Sequence, residues 1–308
     1  MSKAPTITVI IPVYNSADTI VATLESVLAQ NYQDFEILIV DDCSTDYLKS
    51  ALSTIESDKI TLIQHKQNKG AAAARNTGIQ AARGQYIALL DSDDVWMSDK
   101  LKKQLAYMRA QASNNVLASC TSFTLRRLIK SRKVDRILKS SEDWTHNLLD
   151  QCNVSPGSTL MAERRIFDAD EVGLYDPELR RLEDWDWLLR YITRYELGII
   201  EEVLSEIRLS GYPNYSTVSQ SADILKAKRI DDIHTYFGKI GTRKVLAGLE
   251  VEKGTAAYRQ KKYIMALHHF IATGFLSFER IYKLIKRVKT KLITGDHSAK
   301  PFAVRHNS

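Results

Sequence analysis

Three apolar runs in the first ninety residues each end abruptly in a polar or acidic cluster. Ile7–Val13 (ITVIIPV) breaks at Tyr14-Asn15-Ser16, residues 35–40 (FEILIV) stop at Asp41-Asp42-Cys43-Ser44, and Tyr86–Leu90 stops at Asp91-Ser92-Asp93-Asp94. A further short run covers Ile60–Gln64, and helical spacing fills the gaps, with Ile20, Leu24, Val27 and Leu28 in one and Ala71–Ala82 in another. Strands apolar on both faces that alternate with helices predict an α/β chain with a mostly parallel sheet. Ligands of such sheets bind outside the carboxyl ends of the strands, where these polar clusters lie.

After about residue 115 the pattern is less regular. Arg126 to Lys139 is strongly basic, and Asn153-Val154-Ser155-Pro156-Gly157-Ser158 is rich in turn formers. From about residue 220 the spacing of Ile224, Leu225, Ile230 and Ile233 is helical, which predicts a boundary near 215: a domain over 1–215 and a helical, basic region over 216–308. Charge supports that division. The chain carries +6 in total. Residues 257–308 hold eleven Lys/Arg against two acids, a local +9 that leaves −3 for everything before them. Cys43, Cys120 and Cys152 are odd in number, widely spaced and without CxxC, which argues for a reducing compartment and against a disulfide framework or zinc site. The N-terminus reads as a first strand rather than a signal peptide, and the longest uncharged stretch, Tyr263 to Phe278, falls short of a spanning helix.

Asp91-Ser92-Asp93-Asp94 places three carboxylates in four residues, an arrangement that needs solvent or a cation to offset it. Hard oxygen ligands suit Mg²⁺ or Mn²⁺, which complete their shell with phosphate oxygens and water. The alternative is a solvated turn that caps the helix beyond it. Asp42 can accept the N3–H of a uracil or cap a turn. Arg75 stands among small residues (Gly70-Ala71-Ala72-Ala73-Ala74-Arg75), where it can reach a base or diphosphate, or lie on the surface of an Ala-rich helix. Glu183-Asp184 is the best general-base candidate. Trp185 and Trp187 beside it offer aromatic faces to a sugar ring, or else pack inward with Asp186 outward.

Five segments in order, VIIPVYN (9–15), VDDCSTD (40–46), NKGAAAARNTGI (68–79), YIALLDSDD (86–94) and GLYDPELRRLEDWDWLLR (173–190), resemble glycosyltransferase family 2, the inverting enzymes of the GT-A fold. The resemblance covers roughly residues 5–210. It implies that Pro12, Tyr14 and Asn15 line the nucleotide pocket, that Asp42 binds uracil and that Arg75 contacts the nucleotide. It implies further that Asp93 coordinates Mn²⁺ or Mg²⁺ on the diphosphate, that Asp91 lies near ribose or sugar and Asp94 beside the metal, and that Asp184 is the base that deprotonates the acceptor. The whole chain resembles O-antigen β-1,3-glucosyltransferases. The implied partners are a UDP-sugar, best UDP-glucose, and an undecaprenyl-diphosphate-linked sugar, at the cytoplasmic face of a bacterial inner membrane.

The tail fits that expectation. Residues 280–292 (RIYKLIKRVKTKL) hold six basic residues among 13, with Ile281, Leu284, Ile285, Val288 and Leu292 on one helical face. Such a helix can lie on an anionic membrane or pack on the body. Nucleic acid is the weakest partner, since no nucleic-acid motif accompanies the charge. Two other readings compete. Leu90-Asp91-Ser92-Asp93-Asp94-Val95 also satisfies the DxDx[TV] pattern of haloacid-dehalogenase-type phosphatases, with Asp91 as nucleophile, and a non-catalytic UDP-sugar binder needs no Asp184.

Overall fold

The computed structural model describes residues 4–111, 114–127, 132–209 and 213–277. Chain order is β1 (Ile7–Val13), α1 (Ala17–Leu28), β2 (Phe35–Asp41), α2 (Leu48–Leu52), β3 (Ile60–Gln64), α3 (Ala71–Ala81) and β4 (Tyr86–Leu89), then β5 (Val95–Trp96) and α4 (Lys100–Ala110). There follow β6 (Ala118–Arg127), β7 (Arg132–Arg136), α5 (Trp144–Asp150), α6 (Pro156–Thr159), β8 (Met161–Glu163), α7 (Glu183–Tyr191), β9 (Leu197–Leu209), α8 (Tyr215–Arg259) and α9 (Tyr263–Leu276).

The strands form one mixed sheet in the order β3-β2-β1-β4-β8-β6-β9-β5, with β7 paired to β6. Its first part is parallel, as the doubly apolar runs predict: β1 pairs with β2 and β4, and β2 with β3. β8 then enters antiparallel to β4, and β6 and β9 run parallel to each other. Every residue of β1 and β2 is buried, and Ile7, Val9, Ile11, Ile37 and Ile39 pack with Leu24 of α1 and Leu101 and Leu105 of α4. Burying each such side chain contributes roughly 1.5–3 kcal/mol.

Pro12 stands inside a central strand, where a missing N–H is ordinarily costly. Ile10 turns its carbonyl to β4, where it accepts from Leu90 N at 3.1 Å, while Val13 turns its own to β2 and accepts from Asp42 N at 2.8 Å. By alternation Pro12 faces the β4 side, and β4 has already ended at Leu89. Beyond that point the pairing of β1 with β4 ends.

Contacts divide the chain into two compact units. One comprises Met1–Thr145, Val154–Pro177 and Asp186–Ser210; the other comprises His146–Asn153, Glu178–Trp185 and Gly211–Ser308. The first holds the sheet. The second is helical. In it α8 starts on an Asn214 cap, whose side chain accepts from Ser216 N, and breaks at Gly238, whose φ of 59° a side chain rarely adopts. The basic helix expected over 280–292 lies outside the described residues. Among the described residues no helix is long and apolar enough to cross a membrane. None of the three cysteines is in a disulfide.

Candidate functional site

The carboxyl ends of β1, β2 and β4 bring Tyr14, Asn15, Asp42 and Asp91–Asp94 to one edge of the sheet. Tyr14 is exposed there. Asn15 follows it at φ 51°, a left-handed conformation that Asn tolerates better than most residues. Its N–H donates to Ser44 Oγ at 3.0 Å, and its side-chain oxygen accepts from Thr45 N at 2.8 Å. Asn15 therefore ties the end of β1 to the loop after β2.

Asp42 is buried, and backbone donors surround its carboxylate. Oδ1 accepts from Lys69 N at 2.8 Å and meets His65 Nδ1 at 2.7 Å, while Oδ2 accepts from Gly70 N at 2.7 Å. His65 Nε2 meets Thr77 Oγ1 at 2.9 Å. With a carboxylate on Nδ1, the consistent tautomer is Nδ1–H, so Nε2 accepts from the threonine hydroxyl. Gly70, at φ 92°, presents its N–H as it opens α3. A carboxylate offers about four acceptor positions. Among the described residues three are taken, leaving one on Oδ2.

Arg75 projects from α3, is buried, and donates from Nη2 to Asp91 Oδ1 at 2.8 Å, with its guanidinium carbon 5.8 Å from the Tyr175 ring centre. Of the alternatives left by the sequence, the surface position is thus excluded. Asp91 is held from two more sides. Its N–H donates to Ser158 Oγ at 3.0 Å, and Gly157 lies so close that a Cβ there would stand 2.5 Å from Asp91 Oδ2.

Asp93 is half-buried, whereas Asp94 turns inward: Oδ2 accepts from Ser158 Oγ at 2.5 Å and Oδ1 from Arg208 N at 2.6 Å. Burial, then the charges of Asp91 and Asp93, push the Asp94 carboxyl well above its ordinary range. Ser92 Oγ bonds Ser16 Oγ, and its carbonyl accepts from Thr19 and Thr23 of α1. Among the described residues no group of three or more His, Cys, Asp or Glu is placed to hold a metal through protein ligands alone. The donor chemistry nonetheless fits a hard divalent cation: hard carboxylate oxygens stand in mutual repulsion, and the rest of the shell would come from diphosphate oxygens and water. Asp93 would hold such an ion, which when bound neutralises charge on the diphosphate.

The acidic start of α7 belongs to the helical unit. Asp184 Oδ1 accepts from Trp185 N at 2.8 Å, and Oδ2 lies 3.6 Å from Cys152 Sγ. The two tryptophans do not offer faces to a sugar. Trp185 is fully buried and donates from Nε1 to Leu148 O at 2.7 Å. Trp187 is fully buried, stacks on Phe167, Tyr175 and Tyr191, and donates to Gly173 O. Asp186 is not outward either: it is wholly buried and paired with Arg190 at 3.0 Å.

Sequence reasoning missed His65, Ser158, Gly157 and Lys100. The last opens α4 fully buried, its Nζ 4.0 Å from the centre of the Trp96 ring and without a hydrogen-bond partner among the described residues. Burial pushes its ammonium down to about 7. Only Gly157 and Ser158, in the turn-rich stretch, carried a sequence signal.

The family model for glycosyl transferase family 2 matches residues 8–162. The putative teichuronic acid biosynthesis glycosyltransferase TuaG of Bacillus subtilis is 34% identical over 212 residues, 67% of the chain and 79% of that protein. The chain belongs to glycosyltransferase family 2.

Membership removes the phosphatase reading of Leu90–Val95. An uncharacterized glycosyltransferase of Rickettsia felis is 36% identical over 214 residues, 68% of the chain and 34% of that protein. The chain thus spans about a third of the length of the first relatives it matches. The Escherichia coli UDP-Glc:alpha-D-GlcNAc-diphosphoundecaprenol beta-1,3-glucosyltransferase WfaP is 44% identical over 105 residues, 34% of the chain and 42% of that enzyme. Solved structures share the GT-A fold. Staphylococcus aureus TarS 1–349 in complex with UDP-GlcNAc has a TM-score of 0.66 at 16% identity, covering 96% of the chain and 93% of that one. The Pyrobaculum calidifontis mannosyltransferase PcManGT with GDP-Man and Mn²⁺ has a TM-score of 0.60 at 18% identity, covering 95% and 81%.

Proposed function

We propose that the chain transfers a hexose, glucose in the first place, from a UDP-sugar to a sugar carried on undecaprenyl diphosphate, with inversion at the anomeric carbon, in the synthesis of O-antigen or another surface polysaccharide. The observation that supports this reading is the Arg75–Asp91 ion pair at the carboxyl end of β4, two residues before Asp93 in the chain. WfaP, whose name states this donor, this kind of acceptor and a β-1,3 linkage, supports the choice of substrates, and TarS with bound UDP-GlcNAc supports a UDP-sugar.

In this reading Pro12, Tyr14 and Asn15 line the nucleotide pocket, with Tyr14 near the base. Asp42 accepts the uracil N3–H on its remaining Oδ2 position, and Arg75 contacts the nucleotide. Asp91 faces the ribose or sugar. Asp94 stays a supporting residue beside Asp93, the ligand to Mn²⁺ or Mg²⁺. Asp184 takes the proton of the acceptor hydroxyl as its oxygen bonds the anomeric carbon and the bond to UDP breaks. The 1–215 region carries donor chemistry and 216–308 serves the membrane side, so the enzyme works peripherally at the cytoplasmic face of the inner membrane.

The test is transfer from a panel of UDP-sugars with Mn²⁺ to synthetic sugar-diphosphate-lipids, with products read by mass spectrometry and NMR. A β-1,3-glucosyl product is expected. Failure of every UDP-sugar sinks the reading. Asp184→Ala is expected to keep UDP binding and abolish transfer; unchanged transfer removes Asp184 from the base role.

A further inference from the structure

The α9 helix is built inside out for a helix in water. Its inner face is small and polar. Ala266, His269 and Thr273 are buried, with His269 Nδ1 2.7 Å from Glu250 Oε2 and Nε2 2.9 Å from the Tyr215 hydroxyl. Its outer face is apolar: Ile264, Leu267, Ile271 and Phe275 are 87%, 60%, 52% and 89% exposed. At 100° per residue these four fall within one narrow stripe opposite the buried trio. A surface helix ordinarily shows the reverse pattern. The 14 residues of α9 contain no Asp, Glu, Lys or Arg.

We infer that α9 is an in-plane membrane-binding helix whose apolar stripe enters the surface of an anionic phospholipid bilayer. Length sets the mode. Fourteen residues rise about 21 Å, short of the ~30 Å hydrocarbon core, so the helix lies in the interface. Charge sets the lipid. No Asp or Glu occurs between Lys253 and Phe278. Lys261 and Lys262 are exposed at the start of the stripe, and in sequence six basic residues follow between Arg280 and Lys291. Basic residues flanking an apolar stripe are drawn to anionic headgroups. A second copy of the chain is a poorer occupant, since four side chains on one helix fall short of the roughly 800 Å² per partner that a stable dimer buries. This deepens the lipid-acceptor reading, but it is measured without turnover, so the two can fail separately.

The experiment uses the full chain with sedimentable vesicles of phosphatidylcholine alone, or mixed in roughly equal parts with phosphatidylglycerol. Wild type is expected to sediment with the mixed vesicles and weakly with the neutral ones. Ile264→Glu/Phe275→Glu is expected to lower the partition coefficient at least about tenfold, with unchanged circular dichroism, UDP binding and transfer to a short-chain soluble acceptor. The milder Ile264→Ala/Phe275→Ala pair is expected to fall in between, which guards against misfolding of the charged variant. Three results overturn the inference: wild type that binds neither vesicle, a double variant that binds as tightly as wild type, or a wild-type dimer in light scattering that the variants dissociate without any change in sedimentation. Vesicle binding without UDP binding would sink the transferase reading alone.

Discussion

Two acidic clusters end the strands on either side of β1, and they are treated in opposite ways. After β2, the Asp42 carboxylate is met by His65 and two backbone N–H groups, while Asp41 accepts from Ser44 N and Gln64 Nε2. Charge there is largely matched by donors that shape a loop, with one Oδ2 position left open among the described residues. After β4 the match is incomplete. Arg75 compensates Asp91, but Asp94 is pushed up by burial and by two neighbouring carboxylates, and Lys100, on the helix that follows, is buried with no hydrogen-bond partner among the described residues. A satisfied cluster builds a rigid wall; a cluster with charge left over is suited to a charged ligand.

The contrast breaks most sharply at Asp93. Asp93→Ala is expected to cut transfer by at least about a thousandfold, or about 4 kcal/mol, and to abolish the Mn²⁺ dependence of UDP binding in calorimetry. If UDP affinity keeps its metal dependence, the ligand is another carboxylate. Lys100→Met tests the unmatched cation. Its folded-state value of about 7 lies below the usual lysine value, so burying the charge costs stability fully below pH 7. That cost shrinks as pH rises from 7 toward the unfolded value and vanishes above it. The variant is therefore expected to gain on the order of 3 kcal/mol at pH 6 and almost nothing near pH 10.5, read by urea unfolding at each pH. A gain independent of pH would mean that packing, not charge, decides.

In the satisfied cluster the sign reverses. Asp42→Ala strands the N–H groups of Lys69 and Gly70 and is expected to cost about 2 kcal/mol of unfolding free energy. A neutral result would make that loop a passive one. The smallest effect is expected at Ser158→Ala, which removes one hydroxyl from Asp94 and one acceptor from Asp91 N. A loss of about 1 kcal/mol in stability, with UDP affinity lowered severalfold, would identify Ser158 as a support of the acidic turn. Affinity loss with no change in stability would instead bring Ser158 to the ligand.

Much of this was legible because it is local. The runs Ile7–Val13 and Tyr86–Leu90 are strands, the second one residue shorter, since a continuous apolar run fits a strand covered on both faces; Ile60–Gln64 is a strand too, but a partly exposed one at the sheet edge. Their polar ends fall together because parallel strands share a direction. What escaped reading depends on partners far along the chain. Asp94 turns inward to Ser158, 64 residues away, and to Arg208, 114 residues away, while Asp91–Asp94 read locally as one solvent-facing group. The alternation Glu-Asp-Trp-Asp-Trp suggested an outward Asp186, but α7 is covered on nearly all sides, and Arg190 one turn later neutralises that aspartate. Lys100 opens a helix whose other lysines, Lys102 and Lys103, are exposed and half-buried, and nothing in its local sequence marks it as the interior one.

Pro12 bears on how faithfully the sheet is assembled. A slide of β4 by two residues along β1 would keep every apolar side chain on its proper face, so hydrophobic patterning alone does not forbid it. It would, however, bring β4 opposite a residue with no hydrogen to give. One absent N–H thus acts as a stop on the ruler along which β4 is set, and it fixes how far beyond the last rung the acidic turn stands.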